Sequence, residues 1–275
     1  MNIRENLLNT TDNKDTNFIW HENPIIKLES KSNESEIFLG LTKEPLIFLN
    51  NLKLDNIELN PDFLIFASRH TSKTARPAFL VHTTGNWGKE VEFGGEPQSL
   101  SLSSALLLKA GFISFNETKL FPPLSDFSVD IEVTHHGPTS LEIPLIFMEL
   151  GSSKEDWKIT EAGKIVARVI LKTIYRYTEY KKLKNQKIGL GFGGTHYAPN
   201  FNRLIEKNNI AISFICPKYY IQDLIRDMIL QMIHNTSENV DYFIIDWKGT
   251  NSADKTHLIP LLEDFDIPIK KTKDF

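Results

Sequence analysis

Short apolar runs that alternate with helical patterns are the feature that most restricts how this chain folds. The runs are rich in Ile, Phe, Leu and Val on consecutive positions, so the strands that they predict would be buried on both faces. Alternation of such strands with helices is typical of a mostly parallel mixed sheet with helices on both faces, and we therefore predict an α/β fold. The runs are NFIWH (17–21), EIFLGL (36–41), PLIFLN (45–50), DFLIFAS (62–68), AFLVHT (78–83), SVDIEVTH (128–135), IPLIFMEL (143–150), KIGLGF (187–192), IAISFIC (210–216) and DYFIID (241–246).

Four segments carry the helix patterns. In the longest, Ser152 stands three residues before Glu155, which is the spacing of a capping box, and apolar residues recur with a helical period. Another segment predicts a helix that ends at Gly111, and in a third Pro260 must kink or shorten the helix. The four segments are 101–112, 152–184, 217–235 and 253–265.

Length and composition limit the domain organisation. A chain of 275 residues with 41% hydrophobic content suits one large α/β domain or two closely packed lobes. We expect a single domain over 17–275, with a β-rich N-terminal elaboration because residues 1–60 carry more strand than helix patterns. Residues 1–16 are polar, carry no secretory signal and are expected to be a disordered, frayed tail.

Several classes of protein are excluded by simple counts. No apolar run approaches the roughly 18–20 residues of a membrane span, and no targeting signal is present, so we expect a cytoplasmic protein without a membrane partner. The single cysteine, Cys216, excludes a disulfide framework and a thiolate-rich zinc site, and its apolar setting predicts a buried core thiol. A net charge of −4 means that any nucleic-acid binding needs a local basic patch.

Histidines gather where strands are predicted to end. His70 and His82 each follow a strand-like run, and His196 follows another. His135 and His136 stand together after a fourth run, just before a Gly-Pro step that turns the chain away. Strand ends of a parallel sheet share one edge, where α/β proteins place their sites. We therefore predict that the last four of these rings (82, 135, 136 and 196) converge on one cleft, with His70 as a weaker candidate.

Glycines are concentrated beside the same strands. Eight of the 14 fall in GNWGKEVEFGG (85–95) and GLGFGG (189–194). Glycine lets a backbone approach a ligand closely and turn its N–H groups inward. The second stretch fits G-x-G-x-x-G, but the next predicted strand ends in Cys-Pro with no acidic residue for a ribose, so a dinucleotide site is excluded.

Two glutamates accompany the histidines in the sequence. Glu132 lies three residues before His135, and Glu96 lies inside the glycine-rich FGGEP. Histidines with a carboxylate suit a zinc ion that activates water, and they equally suit general acid–base hydrolysis without a metal. The H-E-x-x-H pattern of zinc peptidases is absent.

One basic stretch could contact a nucleic acid. The longest predicted helix carries Lys or Arg at four-residue spacing, and residues 161–187 hold eight Lys or Arg against two acids. Such a ridge is either a solvated helix face or a track for phosphates. The ridge consists of Lys164, Arg168, Lys172 and Arg176.

Eight sequence blocks, in order along most of the chain from about residue 60, resemble one known family, the archaeal and plant type of D-aminoacyl-tRNA deacylase. THHGPT together with GGTHYAP is the most specific pair of motifs in the resemblance. The blocks are SRHTS (68–72), VHTTGNW (81–87), FGGEP (93–97), EVTHHGPT (132–139), MELGSSKEDW (148–157), GFGGTHYAP (191–199), PKYYI (217–221) and DWKG (246–249).

The resemblance implies hydrolysis of the ester that joins a D-amino acid to the 3′ end of tRNA, which serves chirality control in translation. It also implies zinc and a fold like that of peptidyl-tRNA hydrolases and nucleoside phosphorylases. The partner would be aminoacylated tRNA; the oligomeric state is not fixed, and a monomer is favoured.

The resemblance also suggests roles for particular residues. Catalysis would use the converging histidines with Glu96 or Glu132 for the proton, and the basic ridge would hold the acceptor stem. His82, His135 and His196 would bind zinc. The terminal adenosine and aminoacyl group would contact Gly85, Asn86, Gly94, Gly95, Gly193, Gly194, Tyr197 and Lys248.

Two other functions remain open on the sequence alone. A zinc amidohydrolase or nucleoside-processing enzyme acting on a small molecule would not need the basic ridge. A tRNA-binding module without chemistry would bind without turnover, and it would give no reason for five histidines at strand ends.

Overall fold

The computed structural model describes residues 2–29, 35–54, 57–118 and 121–275. The α-helices of this part are α1 Asn2–Thr10, α2 Ala105–Asn116, α3 Thr160–Lys182, α4 Pro199–Lys207, α5 Arg226–His234 and α6 Ser252–Glu263. The strands are β1 Asn13–Trp20, β2 Asn23–Leu28, β3 Ile37–Leu39, β4 Leu64–Arg69, β5 Ala78–His82, β6 Gly85–Asn86, β7 Ser99–Leu100, β8 Ser128–Ile131, β9 Leu145–Leu150, β10 Lys187–Phe192, β11 Ile210–Cys216, β12 Tyr242–Ile245 and β13 Ile269–Lys271.

Two four-stranded sheets form the frame of the molecule, and they confirm the predicted α/β class. One sheet has the order β11-β10-β12-β13, with every pair parallel. The other has the order β4-β9-β5-β8, in which β5 and β9 are antiparallel and the two outer pairs are parallel. The chain after β8 joins the sheets, because Thr134 N–H donates to the Ile215 carbonyl at 3.0 Å.

The core lies on the faces of these sheets. Ile212 and Ile215 of β11 pack with α2, α3 and α4, whereas Leu190 of β10 and Phe214 of β11 pack with α5 and α6. Strict alternation would place Ile212 and Phe214 on the same face, but the register of β11 shifts between Ile212 and Ile215 and changes the face that the later residues occupy. Burial raises the pKa of the Cys216 thiol well above its ordinary value, as expected for a core thiol. No helix in the described ranges combines the length and apolar character needed to cross a bilayer.

The N-terminal region contains the expected β-rich elaboration, an antiparallel sheet of β1, β2 and β3. The prediction of a frayed tail over residues 1–16 is wrong for residues 2–16, which form α1 and the start of β1. Helix α1 packs on α3: Leu7 is buried, and Asn2 Nδ2 donates to the Ile159 carbonyl at 2.8 Å. The polar composition of residues 1–16 did not reveal this helix, because so short a helix docks on α3 with few buried side chains.

Several predicted element bounds are also wrong, each for a local reason. α2 continues through Gly111, where a Cβ would lie 3.2 Å from Val81 Cγ1, so the glycine permits close packing on β5 rather than ending the helix. α3 starts at Thr160, because the carboxylate of Asp156 accepts the backbone N–H of Ser152 and closes a turn there.

Two further segments differ from their predictions. PLIFLN forms a 3-10 turn at Leu46–Phe48 instead of a strand, and 217–235 is divided into a 3-10 turn, Lys218–Asp223, and α5. α6 continues past Pro260 to Glu263.

Candidate active site and metal centre

Four of the histidines that the sequence singled out lie in one cluster. The ring centroid of His135 lies 4.3 Å from that of His82, 4.5 Å from that of His136 and 4.8 Å from that of His196. The His82 and His136 rings are 4.8 Å apart. The rings therefore share one cleft, as the positions after strands had suggested.

The expectation that all of these strands end at one parallel edge is wrong. β4 and β5 flank β9 and run in opposite directions, so His70 and His82 approach β9 from opposite ends. They meet because both strands are short and Glu149 of β9 lies between them, with Oε2 3.0 Å from His70 Nδ1 and 3.8 Å from His82 Nε2.

Backbone contacts position the remaining two loops. Gly85 N–H donates to the His136 carbonyl at 2.8 Å and so ties the end of β5 to the histidine pair. Val133 N–H donates to the His196 carbonyl at 2.9 Å, which ties the loop after β10 to the chain after β8. His136 has φ of 47°, an uncommon conformation for a non-glycine residue, which these contacts hold in place.

Three histidines have their ring orientation set by backbone carbonyls. Nδ1 of His82 lies 3.0 Å from the Thr83 oxygen, Nδ1 of His135 lies 2.7 Å from the Val133 oxygen, and Nδ1 of His136 lies 2.6 Å from the Gly137 oxygen. A carbonyl can only accept, so each Nδ1 donates its hydrogen. The Nε2 atom of each ring is therefore the one that can take a proton or bind a metal.

Electrostatics inside the cluster distinguish its members. Burial together with the charges of neighbouring histidines lowers the pKa of His135 well below its ordinary value and lowers the pKa of His136 to about 4. Burial opposes protonation of His82, but Glu149 and Glu132 outweigh it and raise its pKa. Two rings thus present bare nitrogens, while the third favours a positive charge at Nε2.

Three overlapping groups of ligand atoms result. Within each group one ligand atom per residue lies within 4.8 Å of the others, which is close enough for a shared ion. The predicted ligand set of His82, His135 and His196 is not one of the groups in the part of the chain that the structure describes; His135 is grouped with His82 and His136 in one case, and with His196 and Glu132 in another. The groups are His82, His135 and His136; Glu132, His135 and His196; and His70, Glu132 and Glu149.

Glu132 shows best that the cluster suits a cation. It is 1% exposed, and neither carboxylate oxygen accepts a well-aligned hydrogen bond from a described residue, although His196 Nε2 lies 2.9 Å from Oε1. The Nε2 atoms of His70 and His82 are likewise buried without a partner. Unsatisfied buried carboxylate oxygens are costly, so a metal ion bound by these atoms would stabilise them.

Glu149 was missed as a site residue by the sequence predictions, and His70 was ranked below the other histidines. Burial opposes ionisation of Glu149, but the imidazoles of His70 and His82 hold its pKa well below the usual range. Burial also opposes protonation of His70, yet its hydrogen bond to Glu149 and the charge of Glu132 raise its pKa. A glutamate inside the fully buried strand β9 was the available signal, since carboxylates are rarely buried without a partner.

The first glycine loop, residues 85–95, packs against the histidine cluster, and several of its hydrogen-bond donors are used within the protein. Gly94 and Gly95 have φ of 80° and 77°, and a Cβ at Gly137 would lie 2.3 Å from Gly95 N, so the loop packs directly on the histidine loop. Asn86 Nδ2 donates to the Gly94 and Glu96 carbonyls at 2.8 and 3.1 Å. Gly85 and Asn86 were predicted to contact the substrate. The Gly85 N–H and the Asn86 amide nitrogen already donate hydrogen bonds within the protein, so neither is free to donate to a substrate.

Glu96 itself lies in this loop but not in the cluster. Its backbone N–H donates to Thr139 Oγ1 at 2.8 Å, and its side chain is exposed. It belongs to none of the three ligand groups found among the described residues, whereas Glu132 belongs to two. Of the two predicted proton carriers, Glu132 is the one that the fold brings to the histidines.

The second glycine loop borders the open side of the cluster. Gly193 and Gly194 have φ of 101° and 82°, and the loop leads to His196, whose Nδ1 lies 3.3 Å from Tyr219 Oη. Tyr197 lies beside His196 with ring centroids 5.4 Å apart. Lys248 is exposed and lines the same open side.

The basic ridge on α3 is largely paired with acids. Lys172 and Arg176 both bind Glu117, and Lys164 lies 2.9 Å from Glu161. The two bases lower the pKa of Glu117 to about 2, with Arg176 contributing most. Arg168 is exposed. Most of the charge that suggested a phosphate track is therefore offset on the helix surface.

Comparisons with known proteins show what the chain as a whole is similar to. The family model for D-aminoacyl-tRNA deacylase matches residues 57–270. Curated proteins of that name are similar to most of the chain: that of Thermococcus onnurineus is 33% identical and covers 96% of this chain and 92% of its own length, and that of Pyrococcus horikoshii is 34% identical and covers 91% and 87%. That of Methanocaldococcus jannaschii is 36% identical over 74% of this chain and 79% of its own. A crystal structure of a conserved protein of unknown function is 30% identical, with a TM-score of 0.82, and covers 99% of this chain and 91% of that one.

Proposed function

The chain belongs to the D-aminoacyl-tRNA deacylase family, and from this premise we propose that it hydrolyses the ester between a D-amino acid and the 3′ end of tRNA. Water adds to the ester carbonyl, the bond to the ribose oxygen breaks, and a free D-amino acid and tRNA are released. The observation that carries the proposal is the convergence of four histidine rings beside two buried carboxylates, those of Glu132 and Glu149. We place this reaction in the cytoplasm, as part of quality control in translation.

Zinc is the metal that we propose for the cluster. His82, His135 and His136 would hold it, since carbonyls engage their Nδ1 atoms, Nε2 is the nitrogen left for a metal, and one ligand atom of each residue lies within 4.8 Å of the others. A bound zinc ion would polarise the ester carbonyl and lower the pKa of a water molecule. Glu132 and His196 form a second ligand group with His135, and Glu132 and His70 form a third with Glu149, so donors for a second ion would lie beside the first.

The protein's own groups would manage the proton. The carboxylate oxygens of Glu132 accept no well-aligned hydrogen bond from the described residues, so Glu132 can accept the proton of the attacking water. His196 lies 2.9 Å from that carboxylate and is partly exposed, so it can pass the proton to the departing ribose oxygen. Tyr219 Oη, 3.3 Å from His196 Nδ1, holds the ring in the orientation that this transfer needs.

The proposal is tested by incubating the purified protein with D-tyrosyl-tRNA and L-tyrosyl-tRNA, with and without a chelator. We expect the D-form to be hydrolysed, the L-form to be spared and the chelator to remove the activity. Equal rates on both forms, or none on either, would overturn the function. Activity that survives the chelator would overturn zinc and leave general acid–base hydrolysis.

A further inference from the structure

A groove of about 480 Å³ opens beside His196. One wall is the 3-10 turn Lys218–Asp223 and the other is the loop that begins at Lys248. The groove adjoins the loop that carries His196, because Lys218 N–H donates to the Gly194 carbonyl at 3.1 Å and Tyr219 Oη lies 3.3 Å from His196 Nδ1. A strand lying in the groove can therefore extend past Tyr219 toward the proposed reaction centre.

The unpaired charge of the groove is positive. Lys218 and Lys248 are exposed, and neither forms an ion pair with a residue in the described parts of the chain. The carboxylate that lines the groove, Asp254, is buried; it accepts from Gln222 Nε2 at 2.9 Å and caps α6 together with Asn251. Its charge is thus engaged within the protein, whereas the two lysines can meet an anion.

The groove also presents an aromatic surface. The Tyr219 ring is 52% exposed, although its hydroxyl is held near His196. The ring of Tyr220 packs beside it at a centroid distance of 5.2 Å. An exposed aromatic ring flanked by free lysines is the combination that binds single-stranded nucleic acid, by stacking on bases and pairing with phosphates.

We infer that this groove holds the unpaired 3′-terminal nucleotides of tRNA, with a base stacked on Tyr219 and phosphates paired with Lys218 and Lys248. The inference rests on the proposed function, which requires the 3′ end to reach His196. It also assigns the phosphate contacts nearest the reaction to this groove rather than to the α3 ridge, where three of the four bases are already paired.

Binding of uncharged tRNA tests the lysines. The affinities of wild type and of Lys218→Ala/Lys248→Ala are measured by fluorescence anisotropy for an intact tRNA and for the same tRNA without its last three nucleotides. Wild type should lose at least about fivefold in affinity on truncation, the lower end for one stacked base. The double variant should bind the intact tRNA more weakly, and truncation should weaken its binding less than it weakens that of wild type, because the lysines and the 3′ end act together.

A matched control removes the same charge elsewhere. Lys184 and Lys207 are exposed and precede β10 and β11, at the opposite ends of these strands from the groove. Lys184→Ala/Lys207→Ala should keep the wild-type response to truncation. The salt dependence of binding should flatten by about 1.4 in log–log slope for the groove variant, since each single-strand phosphate contact contributes about 0.7.

Tyr219 is tested by separating its ring from its hydroxyl. Tyr219→Ala should lower the affinity for intact tRNA by about fivefold to a hundredfold, and Tyr219→Phe should restore it because the ring remains. The hydroxyl should be seen instead in kcat on D-tyrosyl-tRNA, through its contact with His196.

The results separate the groove from the function. Two outcomes would overturn the assignment of the 3′ end to the groove. In the first, the groove variant loses the same affinity for intact and for truncated tRNA. In the second, it loses no more affinity than the control variant. Hydrolysis by wild type together with such a result leaves the deacylase function standing. Groove-dependent binding of the 3′ end without hydrolysis would support the groove and overturn the function.

Discussion

Lys109 provides a quantitative test of the packing of α2. This lysine is 4% exposed, and its Nζ donates to Gln186 Oε1 and to the Asn208 carbonyl, both at 2.9 Å. Both acceptors are uncharged, so burial is not compensated by an anion, and it lowers the pKa of Lys109 from 10.5 to about 8. The charged form is therefore disfavoured in the folded state.

The sign of the pH dependence follows from that direction. Between about pH 8 and 10.5 the unfolded chain binds a proton at this position that the folded protein does not, so folding stability rises with pH. Below pH 8 the full penalty applies, about 3 kcal/mol at ~1.36 kcal/mol per pH unit. At pH 9.5 the same relation leaves about 1.4 kcal/mol.

Lys109→Met should remove this dependence. The difference in unfolding free energy between variant and wild type, measured by urea denaturation, should change by about 2 kcal/mol from pH 7 to pH 9.5, with the wild type gaining. The comparison stops at pH 9.5 because tyrosines titrate above it. Lys207→Met, at an exposed position, is the control and should show no such change. A flat difference for Lys109→Met would refute the argument that the ammonium group is desolvated without compensation.

Three other predictions follow from the described contacts. Gly137→Ala places a Cβ 2.3 Å from Gly95 N, a backbone atom that cannot rotate away. The kcat of this variant should fall about a hundredfold, as for a displacement near 1 Å. The kcat of the control Gly88→Ala should fall far less, because its Cβ meets only the Tyr220 side chain, at 3.2 Å. Glu132→Gln should abolish hydrolysis while the melting temperature stays the same or rises, because the amide keeps the size of the side chain and removes a buried charge whose oxygens accept no well-aligned hydrogen bond from the described residues. A large loss of thermal stability would contradict this. Leu7→Ala should cost about 2–5 kcal/mol in urea unfolding if α1 is docked as described, and an unchanged midpoint would restore the frayed tail.

The histidine cluster shows which features of the site the sequence motifs predicted and which they did not. The positions of the histidines after strand-like runs were enough to predict that four rings share a cleft. The sequence could not say which rings form one metal group, because that depends on which side of His135 each ring lies. It also placed Glu96 and Glu132 on equal terms, although only Glu132 enters the cluster.

The basic ridge illustrates the opposite case. Four-residue spacing on α3 correctly predicts one helical stripe, but its charge is offset by Glu117, which lies 55 residues from Lys172 in the sequence and beside it in space. Conversely, Lys218 and Lys248 are isolated in the sequence and carry no charge pattern, yet the fold brings them to one groove. Surface charge belongs to the folded arrangement because partners come from distant segments.

The sequence by itself determined the elements whose signals are local. Apolar runs predict the buried strands because two-sided burial requires continuous hydrophobicity, and the strand-end histidines mark the residues that can reach a cleft. Tertiary structure alone decided the direction of β4 and β5 on either side of β9, the docking of α1 and the three carbonyl contacts that leave Nε2 as the available nitrogen of each ring. These depend on which distant backbone atoms come within hydrogen-bonding distance, and no spacing within a short stretch of sequence encodes that.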